Sequence, residues 1–256
     1  MVVRKLLLAL AALFCSATLA CATVAVDATG TANVASASGV TSANFSNLTI
    51  GGSANALIVT LVSDGDATTA ITSPSATWDN GGTNQTMTLL GHQTGDGVGG
   101  HLTDSVWIFG LRAPTTGNKT LHISWTNTSQ VFIDAVSFTG VNQTSDAAAF
   151  SNFNSTGNNA ASSLSVNITS AVGNIVVGGH LLDGTTINTV SGTQVYIDNS
   201  GVNVDGAMNN DTGAATVTLT QTGTSGGGRI SAGISINAGG GGGPILRLKS
   251  LLGVGQ

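Results

Sequence analysis

Apolar and polar positions alternate with period two through most of the chain between residues 43 and 238. Leu57, Val59 and Leu61 interleave with Ile58, Thr60 and Val62. Leu121, Ile123 and Trp125 interleave with Thr120, His122, Ser124 and Thr126, and Leu164, Val166 and Ile168 alternate with polar residues. This is the periodicity of strands with one buried face, or with two in the case of 57–62. Further strands are expected at 75–79, 85–91, 103–111, 130–141, 174–182, 193–198, 214–221 and 228–237, each bounded by Gly, Asn, Asp or Pro. Ser63-Asp64-Gly65-Asp66, Asp79-Asn80-Gly81-Gly82 and Ala113-Pro114-Thr115-Thr116-Gly117 supply the turns, because Gly and Asn accept positive φ and Pro presets the first turn position. No window long enough for an ordinary helix carries the 3.6-residue pattern.

Many short strands with regular turns predict an all-β chain: a single large domain, a β-sandwich of jelly-roll-like topology. Thr216-Val217-Thr218-Leu219-Thr220 resembles the rung of a β-solenoid, but a solenoid requires a fixed repeat period, and none is found along the chain. The small, polar stretch Thr144–Ser163 is expected to be a long crossing loop inside the domain, with a linker between two domains as the alternative.

Composition narrows the chemistry. All 12 acidic residues are Asp, and both cysteines, Cys15 and Cys21, lie near the start. Arg4 and Lys5, the apolar run Leu6–Phe14 and the small-x-small sequence Ala20-Cys21-Ala22 form an export signal over residues 1–22, with Thr23 as first mature residue. The apolar run is shorter than the roughly 20 residues that a spanning helix needs. A second reading makes Cys21 the lipid-bearing residue of a lipoprotein, although Thr18 stands where a lipobox usually has Leu. In either case no disulfide framework remains.

Without residues 1–22 the chain keeps 5 basic residues against 12 acidic ones, a net charge of −7. Such a surface repels phosphate backbones, so no nucleic-acid partner is expected. At the far end a glycine spacer, Gly239–Gly243, leads to the basic, apolar segment Pro244-Ile245-Leu246-Arg247-Leu248-Lys249-Ser250-Leu251-Leu252 within a tail over residues 244–256. Its functional reading is docking to a partner or a membrane surface, and its plain reading is a frayed terminus.

Asn55–Val62, Ser105–Leu111, Lys119–Trp125, Ala135–Thr144 and Gly173–Val177 follow one another in a recognisable order, and Ser137-Phe138-Thr139-Gly140-Val141-Asn142-Gln143-Thr144 is the most distinctive string. In this the chain resembles an uncharacterised family of bacterial secreted or surface β-sandwich modules, over about residues 43–238. The resemblance implies a β-sandwich and a location outside the cytoplasm, and it brings no catalytic residue with it.

Two catalytic patterns occur and lack their context. Gly223-Thr224-Ser225-Gly226-Gly227 matches the nucleophile elbow, which needs a following helix to expose its serine, whereas Arg229–Asn237 reads as strand. Gly95, Gly97 and Gly100 have dinucleotide-binding spacing, but a strand is expected after them too. His92, His101, His122 and His180 are the only imidazoles. His92 and His101 flank a Gly-rich loop carrying Asp96, with Asp104 nearby, which is where a metal or catalytic cluster would lie.

No cofactor is required by the sequence. The candidate metal is calcium, with Asp64 and Asp66 as ligands on one turn and Asp79, Asp96, Asp183, Asp198 and Asp205 near other expected loops. Sugar binding calls for aromatic platforms, and aromatics make up 4% of the chain. Trp125 is in phase with the core, Trp107 and Phe109 belong to a strand buried on both sides, and Trp78 and Tyr196 are the candidate platforms. The Asn-x-Ser/Thr triplets, such as Asn118-Lys119-Thr120, fit chance in an Asn- and Thr-rich chain.

These features point to a non-catalytic, secreted or surface-exposed structural or adhesive module of bacterial type. It would present the polar loops Gly91–Gly100, Thr144–Ser163 and Asn199–Asp211 to a glycan or another surface protein, with oligomeric avidity. The alternatives are a carbohydrate-binding module assisted by calcium and a phage virion component.

Overall fold

The structure, a computed structural model, describes residues 23–34, 40–46, 48–65, 70–96, 102–127, 129–159, 162–184, 186–199, 204–224 and 227–240. The expected export signal, the tail at 244–256, Asp66 and His101 lie outside the described residues. Thr23–Gly239 form one compact unit, and among the described residues no helix is long and apolar enough to cross a membrane.

The first half of the unit contains β1 (Ala25–Val34), β2 (Ser42–Phe45), β3 (Thr49–Ile50), β4 (Ala56–Gly65), β5 (Thr72–Trp78), β6 (Gln85–Thr86), β7 (Thr88–Thr94), β8 (Ser105–Arg112), β9 (Gly117–Asn118), β10 (Leu121–Thr126) and β11 (Ser129–Thr139). A single helical turn, α1 (Asp146–Ala149), leads into β12 (Phe150–Asn159), β13 (Ser163–Thr169), β14 (Ile175–Asp183), β15 (Ile187–Val190), β16 (Thr193–Asp198), β17 (Val204–Thr212), β18 (Thr216–Gly223) and β19 (Gly228–Ile236). The chain is all-β and sandwich-like, as expected. Thr144–Ser163 is no crossing loop, because α1 and β12 occupy most of it. Most of the described part of Asn199–Asp211 is likewise strand, in β17, and Gly91–Thr94 belongs to β7. Two of the three loops expected to face a ligand are therefore largely sheet.

The strands form four layers. An outer sheet, β2-β10-β5-β6, lies on an inner sheet, β1-β11-β4-β8-β7; a second inner sheet, β12-β19-β14-β17-β16, carries the other outer sheet, β13-β18-β15. β4 shows why the stacking follows from sequence. Leu57, Val59 and Leu61 pack with Phe45, Trp78, Leu121 and Ile123 of the outer sheet, while Ile58 and Val62 join Val177, Leu181, Met208 and Ile230 in a central core. An apolar run with both faces occupied fits only a sheet covered on both sides.

The two halves are repeats of one sandwich. In chain order β1, β2, β4, β5, β7, β8, β10 and β11 correspond to β12 through β19, and each set gives the same neighbour order, with β3, β6 and β9 as extra ladders of the first repeat. Registers agree: Ile58 pairs with Val136 and Gly110, and its counterpart Val177 pairs with Ile234 and Asn210. Both edge ladders carry an irregularity at the same place, Leu89/Gly91 and Gln194/Tyr196. Short sequence matches underlie this, namely Ser42-Ala43-Asn44-Phe45 with Ser165-Val166-Asn167-Ile168, and Asn55–Gly65 with Asn174–Gly184.

The inner sheets meet about a pseudo-twofold axis. β7 lies against β12 and β1 against β16, β8 against β19 and β11 against β17, and β4 against β14, each pair being the other's image. Equivalent residues must meet on such an axis. Gly179, the counterpart of Thr60, approaches it so closely that a β-carbon there would lie 3.2 Å from Thr60 Cγ2. Asn55 and Asn174 each clasp the second residue beyond the last strand of their repeat. Asn55 Nδ2 donates to Val141 O (3.0 Å), Ala238 N donates to Asn174 Oδ1 (2.9 Å), and Val141 and Ala238 pair in an antiparallel bridge.

Candidate functional site

The two outer faces share one chemistry. On β13 and β18, Ser165 pairs with Thr220, Asn167 with Thr218 and Thr169 with Thr216. The Ser165 and Thr220 hydroxyls are 2.7 Å apart, and Thr218 Oγ1 donates to Asn167 Oδ1 at 2.7 Å. Thr189 of β15 extends the row through Thr222, at 2.6 Å. On the opposite face Asn44 bonds His122 (2.8 Å), Ser75 bonds Ser124 (2.9 Å), and Thr72 bonds Thr126. Neither ladder contains Lys, Arg, Asp or Glu. The pleat sets these groups about 4.8 Å apart across strands and about 6.7 Å apart along them, giving a regular grid of hydroxyls and amides.

Beneath the second outer face lies a polar core that the first repeat lacks. His180 is fully buried. Its Nδ1 bonds Ser231 Oγ at 2.9 Å and its Nε2 bonds Asn209 Oδ1 at 3.0 Å. Asn209 Nδ2 donates to Ser191 O (2.7 Å), and Gln221 Nε2 reaches Ser231 Oγ and the carbonyls of Leu181 and Ile230. Burial holds the imidazole down to a pKa of about 4, against a smaller upward pull from Asn209. The counterparts of His180, Asn209, Ser231 and Gln221 are Leu61, Phe109, Ile133 and Trp125, all in the apolar core of the first repeat. The Ser–His–Asn chain has the connectivity of a nucleophile relay, but Ser231 is itself fully buried, so no external carbonyl reaches its oxygen.

A third group sits where β11 faces β16 and β17. Asp134 is fully buried, and burial followed by the Asp198 charge drives its carboxyl well above the ordinary range. Tyr196 donates its hydroxyl to Asp198 Oδ2, and burial leads the causes that push the phenol far upward. Asp205 is raised to about 6, chiefly by burial, with the Ile187 amide opposing and Asp198 adding to it.

The sequence-derived candidates distribute as follows. Trp78 is a correction: it is fully buried, and its Nε1 donates to Thr115 O at 2.9 Å, so its ring offers no face to a sugar. Tyr196 is half-buried and tied to Asp198, with its hydroxyl committed rather than presented. Asp64 stands at the end of β4, opposite Gln130, and its proposed partner Asp66 lies outside the described residues. Asp79 does turn work. Its Oδ2 accepts from Thr83 N (3.1 Å) and Thr83 Oγ1 (2.9 Å), contacts that lead the causes lowering its pKa. Asp96 and Asp104 are buried, and the ring of His92 stacks on Trp107 with centroids 4.1 Å apart. After Gly223 and Gly227 the chain enters β19, so the nucleophile-elbow pattern has no helix.

Sequence reasoning missed the His180 network and Asp134. The signal was present in both cases: a histidine in Val176–Leu182 and an aspartate between Ile133 and Ala135, each interrupting an apolar run. In comparisons with known proteins the chain matches no family model, no curated protein and no solved structure.

Proposed function

We propose that this is an exported, non-catalytic structural or adhesive module of a bacterial surface, which lays its outer sheet faces against uncharged, hydroxyl-rich material such as neutral polysaccharide. One observation carries the reading. Between the repeats the inner positions have diverged as far as Leu61 against His180, while the outward positions of β2 and β10 and of β13 and β18 remain Ser, Thr, Asn and His. Packing does not dictate outward residues, so common chemistry there is a feature of use. Single hydrogen bonds contribute only about 0.5–1.5 kcal/mol net, so affinity must accumulate over many of them along a polymer.

Sedimentation with insoluble cellulose and chitin tests this. The intact chain is expected to deplete from solution with at least one of them. A Ser124→Lys/Thr220→Lys variant, charged on both faces and of near-unchanged stability, is expected to stay in the supernatant. No depletion with either polymer, or equal depletion of the variant, contradicts the reading.

A further inference from the structure

Asp134 and Thr60 face each other across β11 and β4 on the side turned towards the second inner sheet. Both are fully buried, and among the described residues neither carboxyl oxygen of Asp134 nor Oγ1 of Thr60 has a hydrogen-bond partner. The opposite wall supplies glycines, Gly179 beside Thr60 and Gly206 beside Phe132. Asp198 is paired with Gly206 on the neighbouring strand, and it is the charge that acts on Asp134. Two carboxylates thus approach one another in an interior where an unpartnered carboxylate costs several kcal/mol. Thr60 is an independent sign of a missing ligand, because a buried hydroxyl in a strand normally finds an acceptor.

We propose that one calcium ion binds between the inner sheets, held by the carboxylates of Asp134 and Asp198 with the Thr60 hydroxyl as a neutral ligand. Among the described residues no three acidic or imidazole side chains gather into a metal group, so water and further neutral oxygens complete the shell. Calcium fits this mixture because it takes six to eight oxygens in flexible geometry, whereas magnesium demands a near-ideal octahedron. The ion would pin the two repeats together, and the site is independent of what the outer faces bind.

The test is a thermal melt of the full chain after chelation, repeated as calcium is added up to about ten millimolar, roughly tenfold above the weak end for extracellular sites. Terbium luminescence provides the count of ions per chain. The wild type is expected to gain melting temperature with calcium and to bind one terbium ion in competition with it. Asp134→Asn, isosteric and uncharged, is expected to fold and to show no calcium-dependent gain; Asp198→Asn is expected to lose most of it. No gain in the wild type, or an equal gain in Asp134→Asn, overturns the proposal.

Discussion

Acidification from pH 7 to below 4 is expected to remove about 3 kcal/mol of folding stability through His180 alone. The imidazole has a pKa of about 4 in the folded chain against 6.5 as an ordinary histidine, and each unit of difference is worth about 1.4 kcal/mol. Between those values the unfolded chain binds the proton and the folded chain does not, so stability is complete above about 6.5 and declines as pH falls towards 4. The cause is burial: the ring lies wholly inside the second repeat, and this outweighs the smaller upward pull of the Asn209 bond. Asp205, raised to about 6, acts in the opposite sense, since acid relieves the strain of its buried charge. That contribution cancels when the wild type is compared with His180→Gln, which keeps amide partners for Ser231 and Asn209 and does not titrate. Urea unfolding at pH 7, 5.5 and 4 should therefore show the wild type losing about 3 kcal/mol more than the variant. Parallel losses would mean that the imidazole is solvated.

Trp78→Ala is expected to cost about 3–5 kcal/mol, the range for deleting a fully buried large aromatic ring. The indole fills the core between the first outer and inner sheets, and its loss also strands the Thr115 carbonyl that Nε1 satisfies. Urea unfolding at neutral pH measures it, and a loss below about 1 kcal/mol would place the ring at the surface after all. A sugar platform and a core residue differ here in kind: truncating a platform leaves stability nearly unchanged.

The strands that stood out most in the sequence are those of uninterrupted alternation, such as β10, β13 and β18, and the apolar run of β4 with its two buried faces. β17 escaped notice because Val-Asp-Gly-Ala-Met-Asn-Asn-Asp-Thr looks like a turn-rich loop, yet its first seven residues are buried between two sheets. Tertiary cover, not strand propensity, decides such a segment. β12, of which only Phe150 is buried, was hidden by its run of Asn, Ser and Thr.

The duplication was legible in Ser-Ala-Asn-Phe against Ser-Val-Asn-Ile and in the two runs ending Asp-Gly. The added ladders β3, β6 and β9 break the spacing that a period search requires. Trp78 could have been placed from phase alone, because Pro74, Ala76 and Trp78 form the inward row of β5. The groups that meet His180 and face Asp134 were beyond the sequence, since they lie on strands brought together only by the sandwich topology.

The most direct test of the duplicated, back-to-back architecture is a crosslink on its axis. A β-carbon at Gly179 would lie 3.4 Å from that of Thr60, close to the mean of about 3.8 Å in disulfides. In the chain lacking residues 1–22, which contain both native cysteines, Thr60→Cys/Gly179→Cys is expected to form an intramolecular disulfide on mild oxidation. It should show no free thiol, migrate faster without reductant, and melt higher when oxidised than when reduced. Two free thiols in a folded, oxidised sample would contradict a pseudo-twofold meeting of β4 and β14.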